Sequence, residues 1–139
     1  MSLNLKTVAT ITLVALLSAP AMAATATPLS ATMAMAEKTD VMPVAQLTSM
    51  IGMWTANDLS MLDKAKSIKV LDTKTMYQDA DLKQIASVES TKKADIDKIR
   101  AALKGDAALD AWLTKNKVDL NRVVAVSAPA NGTPELVLY

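Results

Sequence analysis

The end of the chain constrains its fold most. Arg122-Val-Val-Ala-Val-Ser127 is apolar on consecutive residues, which a strand tolerates only when both of its faces are covered. Asn131-Gly132 follows as a hairpin signal, since both residues accept a positive φ. Glu135-Leu-Val-Leu-Tyr139 then reads as the returning strand. Upstream, Ser67-Ile-Lys-Val-Leu-Asp72 alternates and is β-branched, so a strand with Ile68 and Val70 inward is expected.

Between these strands the apolar spacing is helical. Leu82, Ile85, Val88, Ile96, Ile99 and Leu103 fall near one face, which predicts one long helix over 80–104. Asp79 is its expected N-cap, Glu89→Lys93 an i,i+4 pair, and Gly105 a left-handed stop. Asp106 should cap a second helix over 107–116 carrying Leu109, Trp112 and Leu113. Two antiparallel helices return the chain to the end of the sheet it left. The expectation is therefore an α+β fold with a three-stranded antiparallel sheet (67–72, 122–127, 135–139). The 122–127 strand would be central and the helices would lie on one face. Residues 45–65 are ambiguous: Leu47, Met50, Ile51 and Trp54 recur at helical spacing, and so do Leu59, Met61, Leu62 and Ala65. Gly52 weakens the first piece, and Asn57-Asp58 could cap a second short helix.

The N-terminus points to export. Lys6 precedes a short apolar run over 7–17, and Ala21-Met22-Ala23 offers small residues at a signal-peptidase site, with Ala21 and Ala23 flanking the cut. The run is about half the ~20 residues that a membrane helix needs, so no stable span is expected. Cleavage after Ala23 would leave residues 24–139, acting in the periplasm or outside the cell. Residues 24–43, rich in Ala, Thr, Ser and Met between Pro28 and Pro43, read as a flexible arm, and 44–139 as one small domain.

Composition closes off several functions. The chain holds 15 Lys+Arg against 14 Asp+Glu. Lys6 leaves with the leader, so the remainder is formally neutral and lacks the basic field that nucleic acid requires. Cys and His are absent. This removes disulfides, thiolate nucleophiles, thiolate metal sites and imidazole bases, so no enzyme mechanism is nominated.

Around Asn121-Arg122-Val-Val-Ala-Val126, after a helix ending in Asn116-Lys-Val-Asp119, the chain resembles small exported proteins of alphaproteobacteria. The resemblance covers roughly Ser67 to Tyr139. It implies a small exported fold and no particular activity.

Methionine is the remaining enrichment. Met33-Ala-Met35 and Met50-x-x-Met53 have spacings that suit Cu(I), a soft ion for which thioether sulfur is a natural ligand. The competing role is gap-filling in a core without Phe. Asp79-Ala-Asp81 and Asp95-Ile-Asp97 are the tight carboxylate pairs; neither has a calcium-loop pattern, and Asp95 and Asp97 can pair with Lys98 and Arg100. Ser90-Thr-Lys-Lys93 spells S-x-x-K without its companion motifs. The functional expectation is a non-catalytic binding or interaction module of the bacterial envelope, with Cu(I) binding as the alternative. Glu135, Val137 and Tyr139 mark a candidate edge for strand addition by a partner or a second copy.

Overall fold

In the computed structural model, residues 27–139 are described. The proposed cleavage site at Ala21 and Ala23 lies outside them. Four strands, β1 (Thr32–Met35), β2 (Ser67–Asp72), β3 (Val123–Ser127) and β4 (Glu135–Leu138), form one mixed sheet in the order β1-β2-β4-β3. β1 and β4 both run parallel to β2, and β3 is antiparallel to β4. The helices are α1 (Val44–Met50), α2 (Ala56–Lys64), α3 (Thr73–Met76), α4 (Asp79–Thr91), α5 (Lys93–Gly105) and α6 (Ala107–Lys115). The fold is α/β.

This corrects the expected three-stranded antiparallel sheet in three ways. First, β4 takes the inner place expected of 122–127, and β3 lies at an edge. β3 does run opposite to β2, but with β4 between them. Leu136-Val137-Leu138 shows why: three consecutive apolar residues, each at most 5% exposed, need cover on both sides. Second, the stretch read as a flexible arm contributes β1, whose hydrogen bonds Thr32 N–H to Lys66 O (3.0 Å) and Ala36 N–H to Val70 O (2.8 Å) lay it along β2. Small residues make this possible, because Ala31 and Ala36 are buried where larger side chains would not fit as closely.

Third, helices cover both faces. Ile68, Val70, Leu136 and Leu138 pack with Leu62 of α2, Ile99 and Leu103 of α5, and Leu109, Trp112 and Leu113 of α6. Leu71 and Val137 pack on the other side with Leu47 and Ile51, Ile85 of α4, and Ile96 of α5. Val124 and Ala125 join this second cluster together because the register slips between Val123 and Ala125, a β-bulge.

The predicted helix over 80–104 is two helices meeting at Lys92 (φ −97°, ψ 12°). The break falls where the apolar stripe lapses at Glu89–Lys93, and Lys93 bonds Asp97 (2.9 Å) rather than Glu89. Gln78, not Asp79, is the N-cap of α4, which leaves Asp79 and Asp81 as first-turn charges favoured by the helix dipole. Gly105 closes α5 without a positive φ, because Asp106 ends that helix in extended geometry while capping α6 through Leu109 N–H (3.1 Å). The left-handed residue lies after α6 instead, at Lys117 (φ 57°). There Val118 N–H reaches Leu113 O and Lys117 N–H reaches Thr114 O, the paired bonds of a Schellman ending. Neither Asn131 nor Gly132 has positive φ. A longer loop, 128–134, joins β3 to β4; Gly132 serves it by its lack of a side chain, since a Cβ would stand 2.7 Å from Pro129 Cγ.

Candidate functional site

The ambiguous stretch over 45–65 resolves into two short helices around a fixed connector. Gly52 makes the connector possible. Its φ of +78° suits glycine, and its N–H donates to Val124 O (3.0 Å), the carbonyl of the extra residue in the bulge. A Cβ on Gly52 would meet Asp95 Cβ at 3.1 Å, so α5 passes close behind. Thr55 and Asp58 form a capping box that starts α2: Asp58 N–H donates to Thr55 Oγ1 (3.3 Å) and Thr55 N–H to Asp58 Oδ2 (2.6 Å). The expected cap at Asn57-Asp58 is thus displaced, with Asp58 serving at the third helical position.

Between these two anchors, Met53 and Trp54 are presented at the surface. They line an open groove of about 610 Å³ together with Asp58 of α2, Val126 near the end of β3, Ala128-Pro129, and Asp95 and Lys98 of α5. Two other grooves among the described residues, beside Tyr139 and beside Lys66, hold about 300 and 270 Å³. Met53 is 64% exposed, while Trp54 is half-buried against the cluster around Trp112. Lys98 Nζ lies 3.5 Å from Asp95 Oδ1. Apolar and aromatic side chains therefore share the groove with Lys98 and the carboxylates of Asp95 and Asp58. That combination can hold the apolar body of a ligand and orient a polar end.

The candidate methionines do not converge. Met50 and Met53 line the groove beside β3, whereas Met33 and Met35 lie on β1 at the opposite edge of the sheet. With neighbouring strands about 4.8 Å apart, the two pairs are separated by most of the sheet width. Met50 is also partly buried against the α1–α4 cluster. Among the described residues, no group of three or more acidic side chains could hold a metal ion. Asp95 pairs with Lys98, and Asp97 lies 3.9 Å from Arg100, as the spacing predicts.

The expected interaction edge is not an edge. Glu135 and Val137 belong to β4, which is paired on both sides, and Tyr139 N–H donates to Arg122 O (2.8 Å). Among the described residues the unpaired edges are those of β1 and β3, and β3 is covered at Val123 and Val124. Besides Gly52 at Val124 O, Arg100 Nε donates to Val123 O (2.9 Å), and α5 packs along the strand.

The perturbed carboxyl groups lie outside the groove. Burial pushes the Glu135 carboxyl above its usual range, with Lys69 opposing and Asp40 adding to the rise. Its Oε1 is buried without a hydrogen-bond partner. Asp72 is held below its usual range by a two-pronged pair with Arg122, at 2.7 and 3.0 Å, which burial only partly offsets. This pair ties the end of β2 to the start of β3. Arg122 therefore caps the sheet instead of belonging to the strand, as the sequence suggested. The two partners stand fifty positions apart, and no local pattern joins them. The helical spacing puts Trp54 on an apolar stripe; its position beyond a left-handed Gly52 is what brings it to the groove.

No family model, curated protein or solved structure matches the chain. No helix among the described residues is long and apolar enough to cross a membrane.

Proposed function

We propose that this protein is a non-catalytic binding module exported to the bacterial envelope, and that the Met53–Trp54 groove is its recognition site. The observation that supports this most is the way the connector is held. A left-handed glycine bonded to the β-bulge and a capping box fix both ends of a four-residue span. Met53 is thereby kept at the surface, and Trp54 is held half-buried beside it with one side on the groove. A groove of this volume suits a small ligand or a short peptide side chain with an apolar body and a polar end.

Anilinonaphthalene sulfonate, apolar with one anionic group, tests this. The folded protein should bind it saturably near one equivalent, with energy transfer from Trp54. Met53→Asp should weaken binding at least ~10-fold, a loss of about 1.4 kcal/mol, while near-ultraviolet dichroism stays unchanged. Absence of saturable binding, or equal binding by Met53→Asp, would overturn the assignment.

A further inference from the structure

The two sheet edges differ in how they are finished. β3 is closed by backbone, arginine and helix, while β1 has no such cover among the described residues, and the sequence Thr32-Met-Ala-Met35 contains no charge, proline or bulge to guard it. Its register on β2 fixes which groups are free. Thr32 and Ala36 donate toward β2, so strand alternation turns the N–H and C=O of Met33 and Met35 outward. The free ladder ends on both sides. Ala31 O accepts from Trp112 Nε1 (2.8 Å), and Glu37 N–H donates to Asp40 Oδ2 (2.9 Å). Two residues therefore remain, spaced i and i+2.

We infer that β1 pairs with β1 of a second copy of this chain, antiparallel about a two-fold axis at Ala34. In that arrangement Met33 of each copy faces Met35 of the other. The two outward residues satisfy one another with four backbone hydrogen bonds, and neither the indole bond at Ala31 nor the cap at Glu37 is disturbed. Met33 and Met35, 37% and 54% exposed, share the face of Ile68 and Val70 and pack across the axis as two Met–Met pairs. Charge does not oppose the contact: along the strand the nearest charged residues, Glu37 and Lys38, fall opposite Ala31 and Ser30, and Lys69, beside Ala34 on β2, is paired with Asp40. An unrelated partner strand would have to match a ladder only two residues long. A second copy matches it by symmetry.

Sedimentation of the purified protein over a wide concentration range should show a monomer–dimer equilibrium. The double variant Met33→Lys/Met35→Lys sets like charges opposite one another and should weaken it more than ~10-fold, whereas Met33→Lys/Met35→Glu sets Lys against Glu and should restore it. In this cysteine-free chain, Ala34→Cys places two thiols at the axis, with Cα atoms about 4.5 Å apart in a non-hydrogen-bonded pair, within reach of a disulfide. Mild oxidation should crosslink it much faster than Ala101→Cys, an exposed position on α5. A protein monomeric at every concentration would overturn the proposal. So would wild-type dimerisation of the double lysine variant, failure of the Lys/Glu variant to restore pairing, or equal crosslinking at the two cysteine positions.

Discussion

Single residues carry constraints that the sequence hides. Thr73 is buried and donates to Leu138 O at 2.7 Å, securing the end of the inner strand β4, yet nothing in its neighbourhood marks it out. Lys69 and Glu135 stand side by side in the register of β2 and β4, with Asp40 bonded to Lys69 at 3.0 Å. Lys69 thus serves Asp40 while Glu135 keeps a buried oxygen without a partner. Burial raises the Glu135 pKa above its unfolded value, so the folded state holds the proton more tightly. Ionised Glu135 then lowers stability at neutral pH, and this penalty disappears as pH falls through the folded pKa toward the unfolded value. Glu135→Gln should raise the denaturation midpoint at pH 7, with the advantage shrinking to nothing below the ordinary glutamate range. Asp72 behaves oppositely: Arg122 holds its pKa down, so its contribution is present above the usual aspartate value and lost as pH falls through the lowered one. Urea titrations of the wild type and Glu135→Gln between pH 4 and 7 measure the difference directly. An advantage that grows with acidity would contradict the assigned burial.

Elements were more legible than their ends. The strands at 67–72 and 122–127, the α6 stripe, the Asp106 cap and the Asp95–Lys98 pair all follow from local pattern. Boundaries and breaks depend on what lies across the fold. α5 itself serves both clusters, Ile96 packing with Ile85 of α4 and Ile99 and Leu103 on the other side, and the break before it at Lys92 is one that the weak stripe at 89–93 permits but does not specify. Likewise Gly52 reads as a weak point in a helix. Its role as a left-handed joint depends on a bulge seventy-two residues later, at Val124. Gly52→Ala should cost about 1–2 kcal/mol from the left-handed backbone. Its Cβ would also press on Asp95, shifting Met53 and Trp54 and reducing dye binding in the groove. A variant as stable as the wild type, by chemical denaturation, would show that the connector is not held this way.

At the scale of the whole molecule, one choice separates the observed fold from the simpler antiparallel alternative: which strand lies inside. Two signals bear on it. Val123–Val126 and Leu136–Leu138 are both apolar without alternation, and both are covered on each side. Sequence pattern shows that each is enclosed, but β3 is enclosed by α5 and the α1–α2 connector, and β4 by two strands and both helical layers. Pattern alone does not distinguish a strand neighbour from a helix neighbour. β1 carried still less signal, since Thr-Met-Ala-Met has no alternation of polarity and gains its place from the edge β2 offers. β4 is thus an inner strand between β2 and β3, which leaves β1 as the open edge among the described residues. Residue-resolved amide hydrogen exchange tests it most directly. An inner β4 should show strong protection of consecutive amides from Leu136 to Leu138, among the slowest in the protein, because both of its sides are paired. Alternating fast and slow exchange along 135–138, the mark of a strand paired on one side only, would contradict it.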